Sequence, residues 1–129
     1  MNGYLADTHV LLWWLLEPEK LPRRAANELA DWTVPMRYSL VSIWEVAIKT
    51  SLRKPGFDVD PMTVRDKLGA ERFAELSLRP EHIAHVATLP WLHRDPFDRM
   101  LVAQAAVEKL TLLTADASLK RYGRFVRAV

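Results

Sequence analysis

Tyr4-Leu5-Ala6-Asp7-Thr8-His9 is the stretch on which the fold turns: three apolar residues run straight into a carboxylate. The next seven, Val10-Leu11-Leu12-Trp13-Trp14-Leu15-Leu16, are too many and too Leu-rich for a second strand, and they read as a helix that stops before Pro18. A buried strand that ends in an acid and feeds a helix is the opening unit of an α/β sheet. In open parallel sheets ligands bind outside the carboxyl ends of the strands. Asp7 therefore stands where chemistry can take place.

Outward from there, the order of elements repeats that unit. Leu21-Pro22-Arg23-Arg24 reads as a turn and Ala25 to Asp31 as a helix of good helix formers. Arg37 to Val41 reads as a strand, and Ser42-Ile43-Trp44-Glu45 opens the next helix with a Ser-x-x-Glu capping signature. Lys54-Pro55-Gly56 ends that helix, and Asp60-Pro61 starts another, to about Leu68. Phe73 to Leu78 alternates as a strand does. Pro80 opens a helix to Ala87, and Pro90 to Asp95 is a loop. Phe97 to Lys109 is the longest clean helix, Leu110 to Thr114 a buried strand, Ala117 to Arg121 a short helix, and Phe125 to Arg127 an edge strand. Strands alternating with helices predict a parallel sheet covered on both faces.

Composition sets the outer limits. A chain of 129 residues is expected to be a single domain, residues 1–129, that buries about two-thirds of its unfolded surface. The absence of cysteine removes disulfides, thiolate nucleophiles and cysteine-bound zinc, and suits a cytoplasmic protein. The start of the chain lacks the basic region of a signal peptide, and no stretch has the ~20 apolar residues of a membrane span. A net charge of +2 is too mild to argue for nucleic acid, although basic residues cluster at Arg23-Arg24, Arg53-Lys54, Arg94 with Arg99, and Lys120 to Arg127. There is no Gly-rich phosphate loop.

The informative residues are acids. Asp7, Glu45, Asp98 and Asp116 each fall just after a strand or in the first turn of the helix that follows. Each has an ordinary explanation: Asp7 and Asp116 as helix caps, Glu45 as the return arm of a capping box with Ser42, Asp98 as a charge near the positive end of a helix. Caps need not lie near one another, however, and a parallel sheet gathers its strand ends on one edge. Carboxylates crowded there repel unless some keep protons or a cation joins them. Hard oxygen ligands with open positions suit Mg²⁺ or Mn²⁺, which lowers the pKa of a bound water and steadies a phosphate under in-line attack. Asp98 is the expected third ligand; Asp95, before Pro96, is the natural N-cap or an outer residue.

Other side chains rank lower. Thr8, Ser42 and Thr114 carry hydroxyls at the same edge, to hold water or to cap, with capping expected of Ser42. His9, near Asp7, belongs either to the outer part of the acidic site or simply to the core, and the buried reading is preferred. His82 and His85 share a helix face with no carboxylate partner evident, which makes zinc improbable. Lys49 is placed for an i, i+4 pair with Glu45. Arg94 and Arg99 flank the acids as phosphate contacts or as solvated surface. Trp91 is the tryptophan expected to be exposed.

Four segments together resemble the motifs of PIN-domain ribonucleases, and most of all the VapC-type toxins of bacterial toxin–antitoxin pairs. They are Leu5 to Trp13, Ser42 to Lys49, His93 to Ala105 and Leu113-Thr114-Ala115-Asp116. The resemblance spans nearly the whole chain. It implies a three-layer α/β/α sandwich around a mainly parallel sheet of four or five strands. It also implies a Mg²⁺- or Mn²⁺-dependent endoribonuclease with metal-binding and catalytic roles on Asp7, Glu45, Asp98 and Asp116. The implied partners are an RNA substrate, a second copy of the chain, and a small DNA-binding antitoxin that joins it in repressing their operon. Two other classes compete: a degenerate PIN-like module that binds protein or RNA without cutting, against which the full acidic set speaks, and a receiver-like phospho-acceptor, disfavoured because no Lys closes the last strand.

Overall fold

The structure, a computed structural model, describes residues 3–129. The elements run β1 (Tyr4–Ala6), α1 (Thr8–Leu16), α2 (Arg23–Ala30), β2 (Met36–Ser39), α3 (Leu40–Ser51), α4 (Pro61–Ala70), β3 (Ala74–Leu76), α5 (Pro80–Val86), α6 (Pro96–Glu108), β4 (Thr111–Thr114) and β5 (Val126–Ala128). Two 3₁₀ turns, Pro18–Lys20 and Ala117–Tyr122, complete the chain.

The five strands form one sheet in the order β3-β2-β1-β4-β5, and every pairing is parallel. The chain moves from β1 outward to β2 and β3, then returns across the sheet to place β4 on the other side of β1. The order therefore reverses between β1 and β4, and a crevice opens beyond their carboxyl ends. Asp7 follows β1 and Asp116 follows β4, so both acids face this switch point.

Alternation along the strands builds the three layers. Tyr4 and Ala6 pack on one face with Val10, Leu11, Leu29, Val64 and Leu68, from α1, α2 and α4. Leu5 points to the other face, against Leu101, Val102 and Ala105 of α6. Leu112 and Leu113 divide in the same way. Burying an Ile, Leu or Val side chain contributes about 1.5–3 kcal/mol, and the central residues Leu5, Leu112 and Leu113 are wholly buried.

Several boundaries differ from those the sequence suggests. The helix after β1 begins at Thr8, because Asp7 itself is the N-cap and accepts the Val10 N–H at 2.9 Å. Arg23 and Arg24 form the first turn of α2 and not a turn before it, since Pro22 leaves no N–H to satisfy there. The α3 helix begins at Leu40 and its cap is Ser39, which accepts the Val41 N–H at 3.0 Å. Ser42 lies inside the helix, so the expected Ser42–Glu45 capping box does not form. Gly3 has φ +105°, and a side chain there would collide with the Pro35 carbonyl as β1 enters the sheet.

Candidate active site

Asp7 is buried and tightly held. One carboxylate oxygen takes the Val10 N–H; the other takes the Thr114 hydroxyl and the Ala115 N–H, the latter at 3.0 Å. Burial pushes its carboxyl above the usual range, against the pull of Thr114 and the two backbone donors. Capping and placement at the switch point are thus one arrangement and not alternatives.

The α6 helix brings the second acid. Asp95 caps it, accepting the Phe97 and Asp98 N–H groups at 2.8 and 3.2 Å. That leaves Asp98, in the first turn, free to project into the cleft beside Asp7 and Asp116. Its carboxyl is pushed up to about 7, first by desolvation and then by the charges of Asp95, Asp7 and Glu45, with His93 opposing. Asp116 starts the 3₁₀ turn after β4, taking the Ser118 N–H and hydroxyl on one oxygen at 2.9 and 2.6 Å. Those bonds, Ser118 foremost, hold its carboxyl below the usual range.

His93 completes the group, and sequence reasoning gave it no role. Its Nε2 lies 2.8 Å from Asp116 Oδ2 and 3.8 Å from Asp98 Oδ2, while its Nδ1 accepts the Asp95 N–H at 3.1 Å. One ligand atom each from His93, Asp98 and Asp116 fall within 4.8 Å of one another. The available signal was the spacing His93-x-Asp95-Pro96, which places an imidazole against the start of a helix.

Glu45 sits behind these residues. It is buried, takes the Thr8 hydroxyl on Oε1 at 2.6 Å, and pairs with Lys49 through Oε2 at 2.8 Å. Ser42 Oγ lies 2.9 Å from the Thr8 hydroxyl, so Ser42 serves this chain of oxygens and not a helix end. Thr114 serves Asp7. The open cleft, about 330 Å³, is lined by Asp7, His9, Trp13, Asp98, Ala115, Asp116 and Ala117.

Three expectations need correction. Arg99 does not face substrate: it is 4 % exposed, and its guanidinium donates to the carbonyls of Pro90, Val86 and Leu89 and to the Tyr122 hydroxyl. It pins the loop that carries His93, with the exposed Trp91 ring stacked 3.8 Å above it. His9 is exposed, not buried, because the helix turns it outward over the cleft. His82 does have a carboxylate partner, Glu108, at 2.8 Å. Its Nδ1 accepts the Arg79 N–H at 3.0 Å, which leaves the ring proton on Nε2, directed at Glu108. Arg94, by contrast, remains on the surface.

The donor set fits a hard divalent cation. Carboxylate oxygens and one imidazole nitrogen converge, and among the described residues Asp98 receives no hydrogen bond on its carboxylate. Its carboxyl is held up first by its burial and then by the neighbouring acids, a repulsion that a bound cation would relieve.

A family model described as PIN domain matches residues 4–125, all but the ends of the chain. The chain belongs to the PIN-domain family. Within it, the chain is 26 % identical over 123 residues to Ribonuclease VapC22 of Mycobacterium tuberculosis, covering 95 % of this chain and 93 % of that protein. Among solved structures, VapBC2 from Rickettsia felis bound to a DNA fragment from its promoter superposes with a TM-score of 0.70 at 15 % identity, over 98 % of both chains. DNA-bound VapBC from Salmonella typhimurium gives 0.64 at 15 % identity, over 100 % and 98 %. These structures share the PIN fold seen here, with its all-parallel sheet between layers of helices.

Proposed function

We propose that this PIN domain is a metal-dependent endoribonuclease and the toxin of a toxin–antitoxin pair. The observation that carries the reading is the cleft itself: acids from the ends of β1 and β4 and the start of α6 crowd one open site, where desolvation first and the neighbouring charges second push the Asp98 carboxyl up to about 7. The family match and the likeness to Ribonuclease VapC22 supply the substrate class, RNA.

In this reading Asp7, Asp98 and Asp116 would hold Mg²⁺ or Mn²⁺, with His93 beside them. When bound, the cation neutralises the acids, makes a water more acidic and stabilises charge on the phosphate. The chain's own residues do the rest. Thr114 and the Ala115 N–H fix the Asp7 carboxylate, so that it is ordered before anything binds. Glu45, buried behind these acids with Thr8 on Oε1 and Lys49 on Oε2, adds its charge to the site and orients the attacking water. Arg99 keeps the Pro90–Asp95 loop in place, and with it His93 and the Asp95 cap. Arg94, exposed next to Trp91 and Pro96, contacts the RNA backbone.

The proposed partners follow from the relatives, whose structures are toxin–antitoxin assemblies, some on DNA. We take this chain to act as a homodimer in the cytoplasm, restrained by a small DNA-binding antitoxin. Hydrolysis of single-stranded RNA with Mg²⁺, by wild type and by Asp7→Asn, tests the enzyme. Cleavage by wild type alone is expected; equal cleavage by both rejects the site. Expression in bacteria tests the toxin: growth stops, and co-expression of the neighbouring antitoxin gene restores it.

A further inference from the structure

The residues that line the cleft include two that the acidic chemistry does not use, His9 and Trp13. They stand four positions apart on α1, hence on one helix face a turn apart, with ring centroids 6.4 Å from each other and an interplanar angle of 62°. From Gly3 to Leu15 every other residue is buried or half-buried; His9 alone is exposed. Among the described residues His9 makes no hydrogen bond or ion pair, and the Trp13 indole N–H has no acceptor. Trp13 packs against the core and also lines the cleft, whereas His9 is exposed there.

We propose that His9 and Trp13 form a stacking subsite for an unpaired nucleobase next to the scissile phosphate. The proposal rests on the ribonuclease reading of the same cleft. The physical case is one of affinity. Asp7, Asp98 and Asp116 repel a polyanion, and the net charge of +2 offers little general attraction. Contacts to bases evade that repulsion, since a π-face carries no net charge. Aromatic and imidazole rings are the side chains on which splayed bases stack in single-stranded RNA. A base paired in a duplex is already stacked and cannot enter between the rings and the acidic floor. The subsite begins at His9, two residues from Asp7, so a base held there lies beside the acids and not at a remote surface.

The test measures binding separately from cleavage. Fluorescence anisotropy in EDTA compares a labelled oligouridine of about ten nucleotides with an abasic strand of the same length and charge. Wild type is expected to bind the base-bearing strand about tenfold more tightly, at the low end of what one base–aromatic stack contributes. His9→Ala loses that preference and His9→Phe keeps it, because a phenyl ring stacks but neither moves a proton nor binds a metal. With Mg²⁺ present, His9→Ala raises KM and leaves kcat within a few-fold. Equal binding of both strands by wild type overturns the proposal, as does His9→Phe behaving like His9→Ala. Because the anisotropy needs no turnover, an inactive wild type would reject the nuclease reading and leave the stacking measurement intact. His9 is exposed, so its variants fold.

Discussion

Replacing Asp98 by Asn should make the metal-free protein more stable, and by an amount that depends on pH. The Asp98 carboxyl titrates near 7 in the folded protein against an ordinary 3.8. The folded state therefore binds more protons than the unfolded state between those values, and stability falls as pH rises through this window. The gap corresponds to ~4 kcal/mol in full, at about 1.4 kcal/mol per tenfold. Asp98 lies at an open cleft, and solvent screening reduces the working figure to ~2 kcal/mol. For a chain of this size that is roughly 7 °C in melting temperature. Thermal melts of EDTA-treated wild type and Asp98→Asn at pH 8 should differ by about this much in favour of the variant. At pH 5, where wild-type Asp98 keeps its proton when folded, the difference should fall below half. An Asp98→Asn variant no more stable than wild type at pH 8, or equally advantaged at both pH values, would refute the claim that burial and the neighbouring acids hold the Asp98 carboxyl up.

Further outcomes are expected at the supporting residues. His93→Gln should weaken Mn²⁺ binding by about tenfold in a calorimetric titration, because it withdraws the imidazole that pairs with Asp116 and lies near Asp98. Arg99→Met should lower stability by ~3 kcal/mol in urea titration, since it takes the guanidinium donor from the Leu89 carbonyl and unties Pro90, Val86 and Tyr122 from one another, and should expose the loop to proteolysis. Gly3→Ala should cost at least ~2 kcal/mol by the same assay, because φ +105° and the Pro35 carbonyl both disfavour a side chain.

The fold was legible because the pattern that encodes it is local. Tyr4-Leu5-Ala6-Asp7 and Leu112-Leu113-Thr114 each announce a strand, and β1 and β4 prove to be neighbours whose ends define the crevice. The acids at those ends could be picked out by their position alone. What could not be read depends on contacts between distant segments. Ser39 and Ser42 both suit a helix cap, and only the sheet settles the matter: β2 continues to Ser39, paired with Leu76, so the helix starts one residue later. His93 acquires its partners only when α6 and β4 meet. Arg99 looks like a surface cation in a basic-acidic run, yet the carbonyls that capture it come from the end of α5 and the loop beyond. His9, between Thr8 and Val10 at the start of an apolar helix, gives no local sign of exposure; its position on α1 turns it to the cleft.

Calorimetric titration of Mn²⁺ into the metal-free protein at neutral pH, with wild type, Asp7→Asn and Asp98→Asn compared, bears most directly on the acidic cleft as a cation site. Saturable binding to wild type, lost or greatly weakened in both variants, is the predicted result. Binding of equal strength to all three proteins, or none to wild type, would contradict the account.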